Sequence, residues 1–539
     1  MPKKQRKSLG EILVEKGLIT AEQLKQAQAQ ARTSARPLRQ ILVKQGLISE
    51  EDLTVFLSQQ FNLPYIELTN YLIDPEVIDL VPEALARKYL LIPILKVAKS
   101  LTVAMVEPLD VFALDELRMK THLEIEPAVA SETEIRKALD AHYRSRGTME
   151  EVIESLDRES LGIKAGEEPE AKELQTIAEE PPVIKLVNLM IIEAVRQGAS
   201  DIHIEPEEEV LKTRFRVDGM LREHTPPPKY LQSAITSRIK IMANLDIAER
   251  RAPQDGRIQM KMEGRDIDIR VSCVPTIYGE NVVLRLLDRS RVILDLKQLG
   301  FSSQALAKYK ELIRRPHGII LVCGPTGSGK TTTLYASLNA INSEEKNIIT
   351  IEDPIEYHLP GIRQMQVNPK VNLKFSSGLR SILRQDPNVI MVGEIRDSET
   401  AGIAVQAALT GHLVFSTLHT NDAPGAVARL LDMGVEPFLL SSTLIGVLAQ
   451  RLVRTICSKC KGKGCGDCLK TGFRGRIGIF ELMLPNEEIK KFIGARAEVD
   501  EIRKTAVGAG MQLLRQDGEE KVKKGITTKE EVLRVTEEA

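Results

Sequence analysis

Residues Gly324-Pro325-Thr326-Gly327-Ser328-Gly329-Lys330-Thr331 carry the residue types and spacing of a phosphate-binding loop. The apolar run 319–322 leads into it and the helix-favouring run 332–339 leads out, the strand–loop–helix context such a loop requires. Glycines let the backbone come close, so successive N–H groups and the helix N-terminus point at phosphate oxygens. Lys330 then reaches the β- and γ-phosphates, Thr331 ligates Mg²⁺ and Thr332 completes the first turn. The expected ligand is a nucleoside triphosphate with Mg²⁺.

Binding a nucleotide does not split it. Three further apolar runs end in polar residues suited to hydrolysis. One ends Ile351-Glu352-Asp353-Pro354, a second Val392-Gly393-Glu394, and a third Leu418-His419-Thr420, the last preceded by Thr410-Gly411-His412. A carboxylate at such a strand end holds Mg²⁺ or polarises the attacking water, and a histidine senses the γ-phosphate. Glu394, Glu352, His419 and His412 are therefore the expected catalytic residues, with a salt-bridged or capping role as the alternative for each.

The elements that must position these groups follow from the same runs. Segments 318–323, 347–351, 389–392 and 413–416 are compact apolar runs separated by helical patterns. Strands apolar on both faces, joined by helices, imply an α/β domain with a parallel sheet covered on both sides. It is expected over 296–539. A second domain, 181–295, mixes a helix near 183–196 with alternating strands such as 211–217 and 267–271. Between 146 and 180 lie eleven acidic and four basic residues, the composition of a self-repelling linker.

Residues 1–145 open with a repeat. The segment Leu9–Thr20 recurs 29 positions later as Leu38–Ser49. Each copy is a short amphipathic helix ending at Gly17 or Gly46, followed by the N-cap residue Thr20 or Ser49 and a second helix. Two stacked helical hairpins are expected. Alternation over 101–106 adds an α+β half.

Four of the six cysteines crowd together: Cys457 and Cys460, then Cys465 and Cys468. CxxC, four residues, CxxC reads as four thiolates around a structural Zn²⁺, with no position left for water. Cys273 and Cys323 stand alone in apolar runs and read as buried small hydrophobes.

The Walker A loop at 324–331, the Glu352-Asp353-Pro354 box, the Walker B-like Val392-Gly393-Glu394 and the histidine box at 410–421, in that order, resemble the secretion or traffic ATPases. These are the hexameric motors of type IV pilus assembly and type II secretion. The resemblance spans nearly everything from residue 181 onward. It implies a RecA-like ATPase domain preceded by a PAS-like domain, six chains in a homohexameric ring, and ATP hydrolysis that changes the angle between the two domains. An inner-membrane platform protein would be the partner that the ring turns. The resemblance also implies that arginines of the PAS-like domain reach the nucleotide; Arg238, Arg251 and Arg257 occupy that region, a solvated basic face being the other reading of each. The cysteine tetrad resembles that of pilus-extension and type II secretion ATPases, with a shorter spacer. Powering pilus extension is the function implied, with type II secretion as the alternative.

The N-terminal repeat is similar to a cyclic-di-GMP-binding module of some pilus ATPases, whose motif opens Arg-Leu-Gly and closes with Gln. Here the copies open Ser8-Leu9-Gly10 and Pro37-Leu38-Arg39, and close with Ala31 and Gln60. The opening guanidinium is missing from both, which favours a docking module for membrane-bound assembly proteins.

Composition bounds the rest. At roughly 150 residues per domain, 539 residues suggest three to four domains. Lys+Arg at 74 against Asp+Glu at 75, with 4% aromatics and no Trp, argues against nucleic acid as a partner and hence against a DNA translocase. Intact Lys330, Thr331 and Glu394 argue against a nucleotide sensor without turnover. No apolar run approaches the ~18 residues of a membrane span, and Gly10-Glu11 and Glu15-Lys16 break up any secretory leader. A cytoplasmic protein, attached to the inner membrane through partners, is expected.

Overall fold

The computed structural model describes residues 13–14, 16–34, 38–68, 71–143, 153, 171–262, 264–288 and 295–536. The chain divides into two compact units, 1–290 and 291–539.

In the first unit the repeat folds as the caps dictate. Helices α1 (Ala21–Ser34), α2 (Leu38–Lys44) and α3 (Glu50–Phe61) follow one another. Gly17 and Gly46 take positive φ of 73° and 66°, the left-handed conformation that ends a helix without a Cβ penalty. Thr20 and Gln23 cap reciprocally, each side chain accepting the other's backbone N–H, at 2.7 and 3.2 Å. Ser49 accepts the Asp52 N–H at 3.0 Å. Repeat-equivalent pairs Leu13 and Leu42, Ile19 and Ile48, and Leu24 and Leu53 form the core. Ser8, Leu9, Gly10 and Pro37, from the two opening triplets, lie outside the described residues. Arg39, of the second triplet, is turned inward: it donates to the Val106 carbonyl at 2.6 Å and the Thr54 hydroxyl at 3.2 Å. Its guanidinium thus ties the repeat to the half that follows.

That half adds β1 (Tyr71–Leu72) and a three-stranded sheet of β2 (Leu91–Val97), β3 (Ser100–Met105) and β4 (Glu124–Val129). The next strands are β5 (Ala199–Pro206), β6 (Leu211–Val217), β7 (Met220–His224), β8 (Gln254–Met262), β9 (Arg265–Thr276) and β10 (Gly279–Asp288). They form a sheet of order β1-β8-β9-β10-β5-β6-β7. Strict alternation of buried and half-buried positions along β6 is the period-2 signature of one packed face. The terminal strand β1 belongs to the N-terminal module, yet it pairs in parallel with β8, Tyr71 opposite Lys261 and Leu72 opposite Met262.

Most of the acidic stretch lies outside the described residues, but its end differs from an extended linker. Residues Ala171–Ala178 form helix α4, which buries Leu174 and Ile177. Helix α5 (Pro181–Gln197) starts on two prolines, which suit the first helical positions, and ends at Gly198 with φ 73°. Helix α6 (Gln232–Met242) packs against both α4 and α5.

The second unit is built on β11 (Gly318–Cys323), β12 (Ile348–Glu352), β13 (Arg363–Gln366), β14 (Val389–Val392), β15 (Leu413–Leu418), β16 (Leu444–Ile456) and β17 (Phe473–Met483). The sheet order is β13-β12-β14-β15-β11-β16-β17, every neighbour parallel except the β16–β17 pair. Each residue of β11, β12, β14 and β15 is buried, as strands covered on both faces require. Helix α7 (Lys330–Ile341) follows β11 and helix α8 (Ser398–Leu409) follows β14.

Candidate nucleotide-binding site

Parallel strands deliver their C-terminal ends to one edge of the sheet, and this is where the phosphate loop leaves β11. Gly329 caps α7 at φ 88° and Gly327 takes φ 80°, conformations that favour glycine. Pro325, Thr326, Gly327 and Thr331 are exposed, while Gly324 and Ser328 are buried. Lys330 folds back on its own loop, Nζ donating to the carbonyls of Gly324 and Pro325 at 2.8 and 2.9 Å. Burial lowers its pKa, and the nearby negative charge of Glu394 opposes that shift.

Glu394 lies just past β14 at the same edge. One carboxylate oxygen pairs with Arg396 and the other stands 3.5 Å from His419 Nε2, just past β15. The backbone around it is fixed to both flanking strands: Gly393 N–H donates to the Ile351 carbonyl, and Ile395 N–H to that of Thr417. A Cβ on Gly393 would sit 3.3 Å from the Glu352 Cα, so glycine replaces the usual Walker B aspartate where the chain brushes β12. Lys330, Glu394 and His419 thus converge beside the loop.

Glu352 and His412 do not join them. Glu352 is 3% exposed, and its carboxylate is occupied by the Tyr335 hydroxyl, by Thr350 at 2.6 Å and by Gln364 at 3.1 Å. His412 precedes β15 and His419 follows it. Six residues at ~3.3 Å each put them about 20 Å apart, on opposite edges of the sheet. The His412 ring instead caps α8, its Nδ1 2.8 Å from the Ala407 carbonyl. The structure thus places His412 at the other end of β15 from His419.

The three arginines belong to the 1–290 unit and differ from one another. Arg238 on α6 is half-buried, burial lowers its pKa, and its Nε has no hydrogen-bond partner among the described residues. The Arg251 side chain is 94% exposed. Arg257 is engaged by both carboxylate oxygens of Asp268.

The four cysteine sulfurs lie within 4.8 Å of one another, with Cys457–Cys465 at 3.9 Å and Cys460–Cys468 and Cys465–Cys468 at 3.7 Å. A tetrahedron with ~2.3 Å metal–sulfur bonds has edges of about 3.8 Å, so the donor set fits Zn²⁺ in size and chemistry. N–H groups of Gly464 and Cys465 point at the sulfurs of Cys460 and Cys468, at 3.2 and 3.1 Å. Burial opposes ionisation of Cys468, yet the N–H donors of Cys465 and Gly472 bring its pKa down to about 6. Gly464 and Gly472 allow the close turn: a Cβ on either would strike backbone at 2.7 or 2.4 Å. Outside the cluster, Cys273 and Cys323 are fully buried, which pushes their thiols up to about 11 and 12.

Sequence reasoning missed two residues that border the loop, Gln450 and Arg451 on β16, 2% and 6% exposed. The one available signal was a pair of polar residues interrupting the apolar run Val447-Leu448-Ala449-Gln450-Arg451-Leu452-Val453.

Among the described residues no helix is long and apolar enough to cross a membrane. The model of the type II/IV secretion system protein family matches residues 176–534, and that of the MshEN domain matches 61–149. The type IV pilus assembly ATPase PilB of Myxococcus xanthus is 46% identical over 97% of this chain and 98% of its own length. The type II secretion system ATPase E of Vibrio cholerae is 48% identical over 80% of this chain and 91% of its own. Among solved structures, the Legionella pneumophila ATPase DotB aligns with a TM-score of 0.52 at 22% identity, over 66% of this chain and 96% of that one, a likeness of fold. On the extent of these matches, the chain belongs to the type II/IV secretion system protein family, a family of secretion and pilus ATPases.

Proposed function

We propose that this chain is a Mg²⁺-dependent ATPase that powers type IV pilus extension as a homohexamer at the cytoplasmic face of the inner membrane. The observation that carries the ATPase reading is the convergence of Lys330, Glu394 and His419 at one sheet edge beside a helix N-terminus. In this reading the backbone from Gly324 to Thr332 cradles the triphosphate, Lys330 leaves the Gly324 and Pro325 carbonyls to meet it, and Thr331 holds Mg²⁺. Glu394 polarises the attacking water and His419 contacts the γ-phosphate. Glu352 acts from behind, positioning the loop 353–357. Arg238, Arg251 and Arg257 are the cations from which charge neutralisation across the ring is drawn.

End-to-end similarity to a pilus assembly ATPase, N-terminal module included, favours pilus extension. Type II secretion is the second reading, favoured by identities of 48 to 53% over shorter stretches. Zn²⁺ at Cys457, Cys460, Cys465 and Cys468 is structural. The N-terminal module docks on membrane-bound assembly proteins, and the ring turns a platform protein. The MshEN match favours cyclic-di-GMP as a ligand of that module; the lack of arginine at the first position of both opening triplets argues for weak binding.

Two experiments test the reading. Lys330→Ala should abolish ATP binding and turnover, and wild-type affinity in that variant removes the loop from the mechanism. Expressing the chain in strains lacking either a pilus assembly ATPase or a type II secretion ATPase separates the two cargos. Restored secretion without restored pili refutes extension.

A further inference from the structure

The buried side of the phosphate loop is held by one side chain from a neighbouring strand. Strand β16 runs parallel to β11, with Cys323 opposite Ala449, so Gln450 stands beside the start of the loop. Its amide nitrogen donates to the Ser328 carbonyl at 2.8 Å, and its amide oxygen accepts from the Thr333 hydroxyl at 2.7 Å. A carbonyl can only accept, which fixes the direction of the amide. Ser328, Thr333 and Gln450 are 3%, 0% and 2% exposed, so all of this takes place away from water.

Two glycines of the loop answer to the same residue. A Cβ on Gly324 would lie 2.5 Å from the Gln450 carbonyl oxygen, and one on Gly329 would lie 2.8 Å from its amide nitrogen. Gly327, by contrast, has open space around it. Within the exposed turn at 325–327, the hydrogen bonds are those that the Pro325 carbonyl accepts from Ser328 N–H and from Lys330 Nζ.

We propose that Gln450 is a positioning residue for nucleotide binding: it clamps the end of the phosphate loop to the first turn of α7 and sets the direction of the Gly329 N–H. In a trans peptide the C=O and N–H point to opposite sides. With the Ser328 carbonyl drawn toward β16, the Gly329 N–H faces away from β16, toward the inside of the loop. The clamp also outlasts a rearrangement that nucleotide binding requires. Lys330 must leave the carbonyls of Gly324 and Pro325 to reach a phosphate, which strips two hydrogen bonds from the loop. Neither of the bonds of Gln450 involves Lys330. The inference rests on the phosphate-loop reading above and adds a residue to it.

The test is equilibrium binding of a fluorescent ADP analogue with Mg²⁺ to the full-length chain. Gln450→Glu keeps the acceptor for Thr333 but sets a carboxylate against the Ser328 carbonyl; its Kd should rise at least tenfold. Thr333→Val deletes the other anchor at nearly constant shape and should raise Kd roughly three- to tenfold, while Thr333→Ser, which retains the hydroxyl, should stay within twofold of wild type. Wild-type affinity in a folded Gln450→Glu variant overturns the proposal. Should that variant not fold, equal affinities of the Thr333→Val and Thr333→Ser proteins overturn it instead. Lys330→Ala separates the two readings. If it binds as wild type does, the phosphate-loop assignment fails and this one with it; if it alone loses binding, only the role of Gln450 falls.

Discussion

The hydroxyl of Tyr335, on the helix that follows the phosphate loop, donates to the carboxylate of Glu352 at the end of β12. Burial, with the charge of Glu352 beside it, pushes the phenol well above its ordinary pKa, so it stays a donor. The same hydroxyl accepts the Glu356 N–H at 3.3 Å, tying the loop after β12 to α7. Replacing Tyr335 by Phe leaves a buried carboxylate one donor short, which costs about 1–3 kcal/mol. The unfolding midpoint in denaturant should fall accordingly. An unchanged midpoint would show that the pair does not hold the loop.

Glu394 stands 3.5 Å from His419, and its charge acts on Lys330. Glu394→Gln should still bind ATP but turn over at least tenfold more slowly, about 1.4 kcal/mol or more in barrier terms. Steady-state kcat alongside nucleotide binding measures this, and an unchanged kcat takes Glu394 out of the chemistry.

The two histidines of the 410–421 segment should part company. His419→Ala lowers kcat, because its ring stands beside Glu394. His412→Ala removes a helix cap about 20 Å away and should leave kcat within twofold. Equal losses of activity in the two variants would contradict the separation.

Cys460→Ser breaks the sulfur tetrahedron. Metal analysis of the purified wild-type chain should find about one Zn²⁺ per protein, the variant should lose it, and its melting temperature should drop. Wild-type protein free of zinc rules the site out.

Acid should loosen the C-terminal helix. Burial opposes ionisation of Glu531, but Arg454 at 2.5 Å and Arg534 at 2.9 Å outweigh it and hold its pKa at about 2, against 4.5 ordinarily. The folded value lies below the unfolded one, so the unfolded chain takes up the proton first. The stabilisation is complete above about pH 4.5 and is lost as the pH falls toward 2. At about 1.4 kcal/mol per unit it amounts to at most about 3.5 kcal/mol. Glu531→Gln should be less stable than wild type at pH 7, and the two proteins should converge near pH 2; parallel curves count against the ion pair.

Much of this was legible before any coordinates. The strands apolar on both faces announced a covered parallel sheet, and Gly17, Thr20, Gly46 and Ser49 marked helix ends and starts in the repeat, where one residue type satisfies one local need. What stayed hidden depends on distance across the fold. Thr410-Gly411-His412 and His419 look like one motif because eight positions hold both histidines, yet a strand between them carries one to each edge of the sheet. Glu352 and Glu394 both end apolar runs, and nothing in either run shows that Tyr335 and Gln364 from other elements donate to Glu352. Gln450 matches no short pattern, since its partners lie more than a hundred positions upstream.

Two residues, Tyr71 and Leu72, decide where this protein can be cut. Because they complete the sheet beside β8, a truncation that begins after them uncovers the backbone N–H and C=O groups of that strand. Such a fragment would offer a bare edge on which other chains can assemble. A fragment beginning just before residue 71 keeps its own cover, and those same two rungs carry part of any pull exerted on the N-terminal module into the neighbouring sheet.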